Sequence, residues 1–171
     1  MNCVAFFDSH AQSNVGKIKG VVEFHSCSPN HQTLVRFKLS GFPPNTTRGV
    51  HVHEEGDLTQ GCASACAHYN PTNQLHGSIQ LFGTSRHVGD LCNNITSDEK
   101  GNVNFEYFDD LIDLDGPYSI LGRMVVIHAQ KDDLGEYRSQ TDKRGIGSGS
   151  SGNSGSRIAC AVIGRTNRDL H

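Results

Sequence analysis

Val35-Arg36-Phe37-Lys38-Leu39 alternates apolar and basic residues with a period of two, the pattern of a strand that buries one face and solvates the other. Ile18, Val22 and Phe24 form a second apolar face with Gly16 and Gly20, opposite Lys17, Lys19 and Glu23. Val103, Phe105 and Tyr107 repeat the pattern against Asn104 and Glu106, and residues 158–163 supply a closing strand. Helical periodicity is nearly absent and turn residues separate the short runs, so the chain reads as all-β, an antiparallel sandwich or barrel.

Two stretches interrupt this rhythm, residues 55–92 and residues 129–156, the latter polar and rich in Gly and Ser. Long loops without regular structure in a compact domain are usually functional. Gly147-Ser148-Gly149-Ser150-Ser151-Gly152 is a literal GxGxxG. A dinucleotide site also needs a preceding strand, a following helix and an acidic residue about 20 positions on. None is legible here, and a flexible Gly/Ser loop is expected instead.

With 171 residues, 35% hydrophobic content and no Trp, the chain suits one domain, 1–171, with a single core. The formal charge of −3 and the lack of a Lys/Arg run exclude a broadly basic nucleic-acid binder. No segment approaches the ~20 apolar residues of a membrane span, and Met1–Asp8 lacks the basic head and apolar stretch of a secretory signal. The expectation is a cytoplasmic protein with no nucleic-acid or membrane partner, or, for a viral source, one of the cytoplasm or the virion. Without export, the sequons at Asn45 and Asn94 are chance matches.

Val50-His51-Val52-His53 is the chemically richest stretch. In a strand, residues i and i+2 share a face, so both imidazoles point one way and both valines the other. His128 ends the apolar run Met124-Val125-Val126-Ile127 and can join the pair from a neighbouring strand. His68, His76, His87 and Asp90 lie in the first long loop among turn formers such as Asn70-Pro71 and Gly77. Four N/O donors there suit tetrahedral zinc. His10, His25, His31 and His171 lie outside the series and carry no metal expectation. The six cysteines define no disulfide framework by spacing alone.

The stretches Val50–Glu54, Gly61-Cys62, His68-Tyr69-Asn70-Pro71, His76-Gly77, Arg86–Leu91, Gly122-Arg123, Val126-Ile127-His128, Asp132–Gly135 and Gly155–Cys160 resemble the copper/zinc superoxide dismutase family, in order and nearly in register. The resemblance spans essentially the whole chain. It implies a Greek-key β-sandwich, a flattened eight-stranded antiparallel barrel with two long functional loops at about 55–92 and 129–156. It implies copper held by His51, His53, His68 and His128, and zinc held by His68, His76, His87 and Asp90, with the His68 ring bridging the two. The implied reaction turns two superoxide radicals into dioxygen and hydrogen peroxide, His68 carrying a proton and Arg157 orienting the anion.

The same resemblance makes Asp132 the acceptor that ties His51 to His76, and pairs Cys62 with Cys160. Such a bridge closes a loop of roughly 100 residues, which stabilises by up to ~4.7 kcal/mol in the chain-entropy model. Cys3, Cys27, Cys66 and Cys92 are then free and read as small buried hydrophobes, a Cys66–Cys92 bridge being the alternative.

Departures from the family pattern are specific. The spacing from His76 to His87 is two residues longer than usual, and Ile79, Leu81 and Phe82 replace a charged, Pro-containing stretch. The loop before Arg157 is longer, with Ser150 and Ser151 where Lys and Thr often stand. Glu55 and Arg165 occupy positions of apolar dimer contacts; a two-fold interface places like residues near their own copies, so Glu55 alone can oppose pairing, or it can instead meet Arg165 of the other subunit, and a homodimer is expected. No Pro flanks Cys160, which points to copper loading without a dedicated metallochaperone. Two other readings compete: a metal-sequestering protein without turnover, and an interaction module with structural zinc only, which has no need of His51, His53 or His128.

Overall fold

A computed structural model describes residues 1–10, 17–27 and 31–167. The strands are β1 (Asn2–Phe7), β2 (Lys19–Cys27), β3 (Gln32–Ser40), β4 (Thr47–His53), β5 (Thr59–Cys62), β6 (Asn93–Thr96), β7 (Asn102–Asp109), β8 (Met124–His128) and β9 (Arg157–Thr166), with two short helices, α1 (Ile79–Phe82) and α2 (Lys143–Ser151). Eight strands form one sheet in the order β6-β4-β8-β9-β1-β2-β3-β7, and every pairing is antiparallel. The connections β3 to β4 and β6 to β7 cross between the two ends of that order, the Greek-key device. The edge strands β6 and β7 approach each other, so the sheet is a nearly closed barrel and little edge is left for foreign pairing.

The alternation in the sequence fills the barrel. Val22, Phe24, Val35, Phe37, Val50 and Val52 are all fully buried in the main core. In β8 the two faces are used differently: Val125 and Ile127 enter the main core, whereas Met124 and Val126 pack with Cys62, Ala65 and Cys160 in a second cluster outside the sheet. The Cys62–Cys160 disulfide, Cα atoms 5.7 Å apart, caps this cluster and fastens the loop after β4 to β9. Both the barrel and the bridge agree with what the resemblance implies.

Several finer expectations need correction. The Gly/Ser stretch is a helix, α2, capped by the Asp142 side chain accepting from the Gly145 amide and ended by Gly152 in the left-handed conformation. Cap chemistry and the burial of Gly145 and Ser148 outweigh the poor helix propensity of Gly and Ser. Glu23 does face away from the core, yet it is buried against Arg36 and Lys38, the Lys38 ammonium 3.3 Å away. Phe105 is 46% exposed, because β7 ends the sheet order. Of the four free cysteines, Cys3 and Cys92 are buried, but Cys27 is half-buried and Cys66 exposed; Cys66 and Cys92 do not pair. Gly16 and His171 lie outside the described residues.

Candidate metal centre

The same alternation that sends Val50 and Val52 into the core puts His51 and His53 on the outer face of β4. Register Val50↔Ile127 and His51↔Val126 brings the end of β8 alongside. His128, on the same face of β8 as Val126 and Met124, thereby comes beside the two β4 histidines; it pairs with Arg157 across a register irregularity that leaves Ile158 of β9 as the extra residue. His68 arrives from the loop by an isolated antiparallel bridge to His53. The Tyr69 amide donates to the Val52 carbonyl and the Val52 amide to the Gly89 carbonyl, both at 2.8 Å. Gly89 has no room for a Cβ against Val52 and Tyr69. This backbone clasp sets His68 and Asp90 over β4.

All seven expected donors are buried, none more than 5% exposed. His51, His53, His68 and His128 each offer an atom within 4.8 Å of the others. Acceptors elsewhere fix which nitrogen of each ring carries the proton, because carbonyls and carboxylates only accept. His53 Nδ1 donates to the Cys66 carbonyl at 2.9 Å, and His128 Nδ1 to the Gly155 carbonyl at 3.1 Å. Their Nε2 atoms therefore carry lone pairs, and these face one another at 3.3 Å. His51 Nε2 donates to Asp132 at 2.5 Å, which leaves its Nδ1 a bare acceptor. His51 Nδ1 and His68 Nε2 are buried with no hydrogen-bond partner.

Unpartnered buried polar atoms are costly, and four lone pairs turned on one point repel. A cation at that point satisfies all four, and an all-imidazole set suits copper in both oxidation states. Burial, reinforced for His51 and His53 by the neighbouring His68, pushes the pKa of both well below the ordinary imidazole value. Burial likewise lowers that of His68 and takes His128 down to about 4, the Arg157 charge contributing. All four rings are neutral at pH 7 and ready to ligate.

The loop donors gather differently. Asp90 Oδ1 lies 2.9 Å from His76 Nδ1, 3.0 Å from His68 Nδ1 and 3.2 Å from His87 Nδ1. Three ring nitrogens exceed the two lone pairs of one carboxylate oxygen; the four atoms are an N₃O donor set that would suit zinc. By mutual distance alone, His51 rather than His87 joins His68, His76 and Asp90. That grouping follows from the stacking of the His51 and His68 rings, centroids 3.9 Å apart. His51 Nε2 is already committed to Asp132, so His87 is the chemically sensible fourth donor.

Asp132 is buried and accepts from His51 on one oxygen and from His76 Nε2 on the other at 3.0 Å, a single carboxylate joining a strand histidine to a loop histidine. Burial opposes a charge on His76, but hydrogen bonds to Asp132 and Asp90 prevail and raise its pKa to about 10. Burial likewise opposes ionisation of Asp90 and Asp132, and their histidine partners overcome it and hold both carboxyls below the usual range.

Arg157 is half-buried at the start of β9. Its guanidinium donates to the carbonyls of Cys62, Ala63 and Cys66. The Cys66 carbonyl thus receives both Arg157 and His53.

Residues that sequence reasoning missed hold the loop half in place. Asn93 Nδ2 reaches the Gly77 carbonyl at 3.1 Å and Asp132 at 3.3 Å. Asn94 brackets the Asp132 backbone, accepting from its amide and donating to its carbonyl. The Gly149 carbonyl of α2 accepts from the His76 amide at 2.8 Å. Arg86, the residue before His87, is buried in a two-bond pair with Asp109 of β7, 2.9 Å each. No periodicity marks any of them; only the Asn93-Asn94 pair beside a predicted loop end offered a cue.

Comparison with known proteins points the same way. Residues 18–163 match the family model described as copper/zinc superoxide dismutase. The chain is 45% identical over 150 residues to a protein of Saccharomyces cerevisiae named Superoxide dismutase [Cu-Zn], covering 88% of this chain and 92% of that one. A protein of the same name from Paramecium bursaria Chlorella virus 1 is 42% identical over 149 residues, covering 87% of this chain and 74% of that one. Among solved structures, the clock protein EA4 superposes with a TM-score of 0.80 at 36% identity, covering 95% of this chain and 93% of that one.

Proposed function

The chain belongs to the copper/zinc superoxide dismutase family, and from that premise we propose how its own residues divide the work. The activity is the dismutation of superoxide to dioxygen and hydrogen peroxide by an oxidoreductase with copper and zinc as cofactors. His51 Nδ1 and the Nε2 atoms of His53, His68 and His128 would hold copper, and the Nδ1 atoms of His68, His76 and His87 with Asp90 would hold zinc. The observation that carries this reading is the convergence of four bare imidazole nitrogens, two of them buried without any partner.

Bound copper supplies the one-electron redox chemistry, and bound zinc a redox-inert charge that fixes the loop. The chain's residues do the rest. With its Nδ1 committed to the loop set, His68 exchanges a proton only at Nε2, the atom that faces the strand histidines. Arg157, permanently charged and held by three carbonyls, presents a planar cation to a small anion. Through the shared Cys66 carbonyl it keeps a fixed relation to His53. Asp132 holds the His51 and His76 rings in their ligating orientations. Reconstitution with both metals, counting copper and zinc per chain beside a dismutation assay, tests this directly. One of each with turnover is expected; full loading without turnover supports sequestration instead.

The homodimer belongs to the same proposal. Glu55 and Arg165 are exposed, and Leu58 and Leu121 are 50% and 40% exposed. Gly56 backs onto the Gly122 carbonyl and the Gly122 amide donates to Ile163, so these side chains share one region. A two-fold interface there sets Glu55 against the partner copy's Arg165; light scattering that finds a monomer at micromolar concentration contradicts it. Two free thiols with exposed surface, Cys27 and Cys66, support a reducing compartment such as the cytoplasm. The absence of Pro beside Cys160 supports copper loading without a metallochaperone, which loading from free copper tests. No helix among the described residues is long and apolar enough to cross a membrane.

A further inference from the structure

The two long loops meet at one side chain. In the first loop, the segment between His76 and His87 carries α1, started by the Ser78 side chain accepting from the Leu81 amide. In the second loop, Arg138 reaches across to that segment. Its Nη1 donates to the His76 carbonyl at 3.1 Å and to the Ser85 carbonyl at 2.9 Å. Its guanidinium lies flat over the Phe82 ring, 3.4 Å from the centroid. One cation therefore ties both ends of residues 76–85 and stacks on the aromatic at their apex.

A Cβ on Gly77 would strike both Phe82 and the Arg138 guanidinium, so Gly77 lets them close over the backbone. Gly77 also donates its amide to Asp90 Oδ2 at 3.0 Å. The Arg138 amide donates to the Gly135 carbonyl, and a Cβ on Gly149 of α2 would touch the Arg138 Cβ. Arg138 is thus seated between the turn after Asp132 and the helix whose Gly149 carbonyl holds the His76 amide.

We propose that Arg138 is a positioning residue for the zinc half of the centre: a guanidinium clamp that closes the lengthened segment between His76 and His87 and so sets both rings about Asp90. The inference rests on the reading that His76 and His87 hold zinc. A longer segment has more conformations to lose when its ends are fixed, and two charge-assisted hydrogen bonds with a stacked face supply the compensating restraint. His51, His53 and His128 sit on strands that Arg138 does not touch, so its effect is confined to zinc.

The test measures zinc and copper release to a chelator from the fully loaded protein, in the parent and in Arg138→Ala, Phe82→Leu and His87→Ala. Arg138→Ala should speed zinc release roughly 10–100-fold, the scale on which groups that orient ligands act, with copper release unchanged. Cobalt placed in the zinc site should show a shifted visible spectrum in the same variant. Unchanged zinc release overturns the proposal, as does an equal acceleration of both metals, which is general loosening. If Arg138→Ala does not fold, Phe82→Leu decides: a rise in zinc release alone supports the clamp, and no rise overturns it. His87→Ala separates the two levels, since zinc release unaffected there refutes the ligand reading itself, whereas a response there with none in Arg138→Ala refutes only the clamp.

Discussion

The strand-borne and loop-borne donors of this centre reach their positions by different means. His51 and His53 are fixed by the pleat of β4, whose opposite face is nailed down by fully buried Val50 and Val52, and His128 by the pleat of β8, whose Val125 and Ile127 enter the core from the other face. His76, His87 and Asp90 sit on backbone with no sheet partner. They depend on Asp132, Asn93, the Gly149 carbonyl and the Arg86–Asp109 pair. The protonation contrast follows. Burial, helped by the neighbouring His68 and, at His128, by the Arg157 charge, keeps the strand histidines neutral, whereas two carboxylates hold a proton on His76. The strand half is therefore organised by the barrel before any ion arrives, and the loop half by a network of polar contacts that a bound ion would complete.

His68 is the one ring common to both sets, so its replacement is the largest expected disturbance. His68→Ala should abolish dismutation and weaken zinc binding together, checked by assay and metal analysis; a variant that retains turnover breaks the comparison at its root. Asp132→Asn comes next. Loss of the carboxylate should weaken zinc roughly 10–100-fold and copper less, because β4 still orients His51; competition titrations with each metal show whether the halves differ in this way.

Gly152 offers a smaller and purely steric version. It has a left-handed backbone, φ 62°, and a Cβ there would run into the Asp132 carboxylate and His76 Nε2. Gly152→Ala should cost about 1–2 kcal/mol from the backbone alone, read by chemical denaturation, and should weaken zinc more than copper.

Acid and base should separate the halves most gently, in the metal-free protein. The strand histidines and His68 have folded pKa values below the ordinary value of about 6.5, so the unfolded chain binds more protons there. Their contribution is present above about pH 6.5 and is lost as pH falls toward the folded values, about 4 for His128. His76 runs the other way, its contribution complete below about pH 6.5 and lost as pH rises through about 10. Melting temperatures across pH should fall on both sides of neutrality, with His128→Gln flattening the acid limb and His76→Gln the alkaline one.

What could be read in advance divides along the same line. Period-two alternation carried the barrel, the facing of His51 and His53 and the approach of His128, because a strand converts sequence spacing directly into direction in space. The loop donors were recognisable by residue type, and their grouping came from family resemblance rather than spacing. The roles of Asn93, Arg86 and Arg138 left no periodic pattern, since each acts by a contact made across the fold. Helix α2 was hidden for a related reason: its Gly and Ser residues argue against a helix locally, and it is the Asp142 cap, buried Ser148 and packing against His76 that hold it.

Anomalous diffraction at the copper and zinc absorption edges, on crystals of the fully loaded protein, addresses the central claim most directly. It should show copper among His51 Nδ1 and the Nε2 atoms of His53, His68 and His128, and zinc against the Nδ1 atoms of His68, His76 and His87 with Asp90, one on each side of a single ring. Two ions that do not share His68, or one metal indifferently filling both positions, would contradict it.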